Sequence, residues 1–235
     1  MVVVFGVGFL FLGVGTGGLD LGQMIRDTFG AGGSSGGGGP SVSAAQKDVN
    51  QHPRQASAWK KLADALQSKG RTDEEITALK QYVNLSPKDA TQVERLAGVL
   101  ATQASTAATE ANTAYAEQQA TAGGSALGPA ASSKPGQALG SDPIAQAVST
   151  EVSSRVQKAT TKYQSASTQA VTMYRRLAKL RPDEQSYFSL AQTAEQFGNT
   201  KVALVAYQSA LRFLTDDATK AQVRAKIRSL KKSLK

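Results

Sequence analysis

Residues 57–89 read SAWKKLADALQSKGRTDEEITALKQYVNLSPKD, and this stretch decides the fold. Trp59, Leu62, Ala63 and Leu66 recur at three- and four-residue steps, so they share one face of a helix. Gly70 interrupts the pattern, a second apolar stripe of Ile76, Leu79, Tyr82 and Val83 follows, and Pro87 ends it. The spacing predicts two helices joined by a tight turn. Thr72-Asp73-Glu74-Glu75 reads as a capping box at the start of the second, with Glu75 reaching back to the Thr72 backbone N–H.

The same positions return downstream. Pro53 and Pro87 lie 34 residues apart, as do Trp59 and Val93, Leu62 and Leu96, Ala63 and Ala97, and Leu66 and Leu100. A fixed period of this length marks one unit of an array, because a single hairpin cannot bury its apolar face alone. The second unit opens with DATQVERLAGVLA from Asp89, but no glycine stands where its turn is due. Its second helix is expected only at STQAVTMYRRLAKLRPD, with Ala170, Tyr174 and Pro182 in register; Pro87 and Pro182 are 95 residues apart, so the unit carries an insert of 61. The third unit, from Ser186, brings back Tyr187, Leu190, Ala191, Gly198, Ala203, Tyr207 and Ala210. Ahead of the first unit, VSAAQKDVNQHP reads as an unpaired second helix.

A 34-residue helix–turn–helix period carrying Trp59, Leu62, small Ala63, Leu66, Gly70, Leu79 and Pro87 resembles the tetratricopeptide repeat family. Glu75 and Tyr82 stand where that family prefers small residues, as does Leu177 in the second unit, and Thr215 replaces the final proline of the third. The expected fold class is all-α: a short tetratricopeptide helical-hairpin solenoid over 42–235 with a long helical-hairpin insert. The insert spans about 104–166. Ala104, Ala107, Ala111, Ala114 and Tyr115 continue the first helix's stripe until Gln118 and Gln119. Ile144, Val148, Val152, Val156, Ala159, Tyr163, Ala166 and Ala170 continue the second, so an antiparallel arm is predicted, its tip TAGGSALGPAASSKPGQALGS a flexible loop. Asp142-Pro143 restarts the helix as N-cap and first-turn proline. A disordered loop is the other reading of this Ala/Ser/Thr/Gln-rich segment.

The opening MVVVFGVGFLFLGVG is uncharged and apolar. It is short for a span of about 20 residues, and it lacks the positive flank of a secretory signal. A membrane anchor over 1–18 is expected, with a cleaved signal or a buried strand as alternatives. Residues 19–41 follow as a juxtamembrane segment and Gly/Ser-rich linker, in which Leu21, Met24, Ile25 and Phe29 share one helical face. Gly13–Gly18 also spells G-x-G-x-x-G, but a dinucleotide loop needs a strand–turn–helix unit with an acidic residue about 20 positions on, and a glycine-rich linker follows instead.

Composition narrows the function. The chain has 235 residues, no cysteine and one histidine, so thiolate chemistry, disulfides and histidine or cysteine metal clusters are excluded. His52, before Pro53, reads as a solvated turn residue. No enzymatic activity, metal or cofactor is expected. The formal net charge is +9, and much of it falls in the tail, where Lys220, Arg224, Arg228 and Lys232 recur every fourth residue. Beside them Val223, Ile227, Leu230 and Leu234 form an apolar stripe, so 216–235 is expected to be a capping helix with a basic outer side.

The resemblance implies that the first helix of each unit lines a concave groove. Those positions fall on Lys60, Lys61, Asp64 and Gln67, then Thr91, Glu94, Arg95 and Gly98, then Gln185, Phe188, Ser189 and Gln192. Some relatives hold a peptide's carboxylates with lysine, arginine and asparagine there. Lys60 fits that clamp, whereas Asp64 and Arg95 replace asparagines and Gln185 and Ser189 replace basic residues. The partner-binding residues expected are Lys60, Lys61, Asp64, Gln67, Arg95, Phe188 and Gln192; a merely solvated face is the other reading. The expected function is a membrane-tethered adaptor of cell-envelope type binding a protein or peptide, with self-association through the arm in view and nucleic acid not expected. The alternative is binding of an anionic polymer or lipid surface by the basic tail.

Overall fold

The computed structural model describes residues 41–123 and 143–234, all within one compact unit, Gly39–Lys235. The expected anchor, the linker up to Pro40, the arm's tip and Asp142 lie outside the described residues. Among those described, every regular element is a helix, and none is long and apolar enough to cross a membrane. They are α1 (Val42–Gln51), α2 (Ala56–Ser68), α3 (Thr72–Leu85), α4 (Ala90–Gly123), α5 (Pro143–Leu180), α6 (Glu184–Gln196), α7 (Thr200–Ala210) and α8 (Asp217–Ser233). Each packs on the next in chain order. That is the connectivity of a stacked repeat, in which every unit buries its apolar face on its neighbours.

The turns of units one and three are built alike. Gly70 and Gly198 adopt φ of 65° and 73°, the left-handed region where a Cβ is strained. At the first, the Gly70 N–H bonds Gln67 O and the Arg71 N–H bonds Leu66 O, both at 3.0 Å; at the second, Gly198 bonds Glu195 O at 3.0 Å and Asn199 bonds Ala194 O at 2.6 Å. This paired closure satisfies the last carbonyls of α2 and α6. Unit two has no such glycine, and α4 simply runs on.

Two apolar cores result. The first joins Leu62, Leu66, Leu79, Val83, Val93, Leu96 and Leu100 to Ala170 and Leu177 of α5. The second joins Val171 and Ala178 of the same helix to Leu190, Ala203, Tyr207, Val223, Ile227 and Leu230. Helix α5 thus has one side in each core, and Tyr174 touches both. Leu177, placed where a small residue is preferred, is fully buried.

The insert is a helical arm. α4 and α5 continue past the turn level of their neighbours as an antiparallel pair, with Ala104, Ala107, Ala114, Val152, Ala159 and Ala166 buried on the seam. α4 does not stop at Gln118–Gln119 but reaches Gly123, and Gln118 Nε2 bonds Ser153 Oγ across the pair at 3.1 Å. A polar residue there crosses to the partner helix rather than ending its own. Arg155 and Glu117 pair nearby at 2.6 Å. The arm's base is fixed on both sides. Asp73 takes Lys162 at 3.0 Å and Gln103 at 2.6 Å, while Tyr163 meets Phe197 edge-on at 6.1 Å and Gln196 bonds Ser105 at 3.0 Å.

Two local expectations need correction. The capping box does not form: the Thr72 N–H goes to Gly70 O, and the Glu75 carboxylate turns inward to Arg95. A guanidinium in the core outcompetes a solvent-accessible N–H for a buried charge. Leu234 does not complete the apolar stripe; it is 42% exposed, because α8 ends at Ser233, past the edge of unit three. Tyr82 remains buried, and its hydroxyl donates to Asp89 Oδ2 at 2.7 Å, with Asp89 Oδ1 accepting from the Gln92 N–H at the start of α4.

Candidate functional site

Arg95 lies at the junction of units one and two. From α4 it reaches across to α2 and α3. Its Nε and Nη2 donate to Glu75 Oε1 at 3.1 and 2.9 Å. Nη2 also reaches Ala63 O and Gln67 Oε1, each at 3.2 Å, and Nη1 pairs with Asp64. The Glu75 side chain is 6% exposed and that of Arg95 17%, so this pair is held away from water. A buried carboxylate persists only with a close, well-bonded counter-charge. The structure therefore brings Asp64, Gln67 and Arg95 together, and their polar atoms face one another.

The other charges on these first helices follow the same habit. Lys61 bonds Asp48 of α1 at 3.0 Å, and its ammonium, followed by His52, holds the Asp48 carboxyl below the usual range. Glu94 takes Arg181 at 2.7 Å. Glu195 takes Lys226 of α8 and accepts from the Tyr207 hydroxyl at 3.1 Å; burial, then this carboxylate, pushes that phenol up to about 12. Arg95 stands 34 residues after Lys61, and both reach back to an acid on a preceding helix. His52 is exposed and bonded to Asp48, as a turn residue should be.

Three expected residues stand apart from this ladder. Lys60 is exposed; the Asp89 carboxyl, held low first by the Tyr82 hydroxyl, also feels its charge. Gln192 is exposed on α6. Phe188 is half-buried and meets the Tyr207 ring edge-on at 6.1 Å. Unit three thus offers a neutral, partly aromatic surface where unit one offers paired charges. Glu75, Asp48, Glu94, Arg181, Glu195 and Lys226 escaped the sequence reading as partners. The one available signal was Glu75, a carboxylate at a position that asks for a small residue.

The tail divides as well. Lys220 donates to Thr215 O at 3.2 Å and faces Asp217 at 3.5 Å. Arg224, Arg228 and Lys232 are exposed and pair with nothing among the described residues, and Lys231 joins them. Val223, Ile227 and Leu230 are buried on unit three.

Residues 56–89 match the family model described as tetratricopeptide repeat. Among solved structures, the chain is similar to a thermophilic TPR protein of Thermus thermophilus, at 13% identity and a TM-score of 0.24, covering 80% of this chain and 88% of that one. It is also similar to the TPR domain of P58(IPK), at 11% identity and a TM-score of 0.25, covering 81% of this chain and 59% of that one. No curated protein sequence matches. The matched repeat spans α2, α3 and the turn after them.

Proposed function

We propose that this protein is a membrane-tethered adaptor, acting by binding and not by catalysis, which holds a protein or peptide on the face formed by α2, α4 and α6. Tetratricopeptide repeats are protein-binding scaffolds, and that general role fits the fold. The observation that carries the finer reading is the contrast along this face. Lys61, Asp64, Glu94 and Arg95 in units one and two are fixed by internal pairs, while in unit three Gln192 is exposed and Phe188, seated on the Tyr207 ring, is half-buried. A rigid face with an aromatic anchor costs little ordering on binding. The tether rests on the apolar run of residues 1–15.

The test places a photo-crosslinking residue at Gln192 or, as control, at exposed Gln208 of α7. A discrete adduct from Gln192 that is lost in Phe188→Ala, with none from Gln208, is the expected result. Equal labelling from both positions refutes the groove. The tether is checked separately by carbonate extraction: full-length protein recovered entirely in the soluble fraction refutes it.

A further inference from the structure

Exposed cations such as Lys47, Arg54, Lys88 and Lys201 are scattered over this molecule, but those of α8 crowd between Arg224 and Lys232. Lys61, Arg95, Arg181 and Lys226 each hold a carboxylate of another helix. On the outer side of α8 the opposite holds, since Arg224, Arg228, Lys231 and Lys232 are exposed and without partners among the described residues. Their steps of three and four residues put them on one side of the helix. Beyond Asp217 the chain has no acidic residue. The apolar side of α8 is already used, with Val223, Ile227 and Leu230 in the second core. The helix is therefore anchored from behind and presents fixed positive charge outward.

We infer that this face of α8 is a docking surface for an anionic lipid bilayer, which it meets by charge alone, without inserting its apolar stripe. Charge complementarity selects an anionic occupant, because four like charges so close together repel one another until anions lie against them. One further observation favours a lipid surface over single-stranded nucleic acid: α8 carries no aromatic residue on which a base could stack. Its four free cations run from Arg224 to Lys232, about 12 Å along one helix, a row that meets several headgroups at once, and a DNA duplex is the competing polyanion in the test below. The cation face stands whether or not the tether proposed above exists.

The absence of cysteine from the chain supplies the probe. Ala221 is exposed one turn before Arg224, so Ala221→Cys in the full chain, labelled with an environment-sensitive dye, reports on this face. Phosphatidylcholine vesicles containing phosphatidylserine should shift the emission, pure phosphatidylcholine vesicles should not, and added salt should reverse the shift. Neutralising Arg224→Gln, Arg228→Gln and Lys231→Gln together should weaken the response on the order of 100-fold. Far-UV circular dichroism of that variant should be unchanged, since none of the three side chains is packed. An equal shift with both vesicle types, no change on neutralisation, or a stronger response to a DNA duplex than to the anionic vesicles overturns the proposal. Because the dye sits on α8, a chain that fails carbonate extraction yet shifts with anionic vesicles refutes the tether and leaves this inference standing.

Discussion

Helix α4 passes through two regions that hold themselves together differently. From Ala90 to Leu100 it buries Val93, Leu96 and Leu100 in a core shared with α2, α3 and α5. From Ala104 onward the same helix buries alanines, and α5 is the helix that lies against it. Helix α5 changes in the same sense, from Leu177 in the body to Val152 and Ala159 in the arm. A leucine removes several times the apolar area of an alanine from water, at about 25 cal/mol per Å². The body is therefore fixed by packing area, and the arm by a close two-helix seam with few polar bridges. One continuous backbone thus joins a stable block to a thin extension, and the difference lies in seam residues, since both parts are helical.

The largest test is in the body. Arg95→Ala leaves Glu75 buried with no counter-charge and should cost about 3–5 kcal/mol, read from urea unfolding. The double variant Arg95→Ala with Glu75→Ala should regain most of that loss. A single variant within about 1 kcal/mol of the parent would show that the pair is solvated and that the body has no internal charge lock. Next comes a matched pair on α5. Leu177→Ala should lower global stability by about 2–5 kcal/mol. Val152→Ala should cost about 1 kcal/mol and act locally, raising amide exchange in the arm while leaving that of α2 and α3 unchanged. Equal protection loss throughout would mean that arm and body unfold as one.

The smallest effect lies at the boundary between the two regions. The Lys162 ammonium, followed by Gln103, holds the Asp73 carboxyl below its usual value of 3.8. A depressed carboxyl stabilises the folded state above its unfolded pKa and loses that contribution as pH falls through the folded value. Asp73→Asn should cost less than about 1 kcal/mol at neutral pH, since both partners are largely exposed. The difference from the parent should fade as the pH falls from the usual value of 3.8 through the lower folded one. A pH-independent difference would show that Asp73 acts through packing and not through its charge.

What the sequence disclosed divides along physical lines. The helical hairpins were legible because Trp59, Leu62, Leu66 and Gly70 act through local rules of periodicity and turn conformation, and those rules repeat every 34 residues. The arm was legible for the same reason, as Ala104–Ala114 and Val152–Ala170 keep a helical period, although Tyr115 and Val148, expected on the same stripes, are exposed. Charge partners were not. Glu75 lies 20 residues from Arg95, and only the stacking of α4 on α3 brings them together; in one dimension a capping box explained the same carboxylate equally well. Lys226 and Glu195 meet because α8 covers unit three, and no spacing rule encodes that distance. Lys231 was missed because a row of every fourth residue steps over a neighbour on the same side of the helix.

The missing turn of unit two makes reach an adjustable dimension of this fold. Where units one and three are closed by Gly70 and Gly198, α4 and α5 are free to lengthen outward. The seam sets the increment. One residue added to one helix rotates everything beyond it by about 100° and turns alanines toward water. Seven added to each restores the register and carries the tip about 10 Å further out. The arm thus has the geometry of a graduated spacer: matched additions to both helices change its length without altering the face formed by α2, α4 and α6.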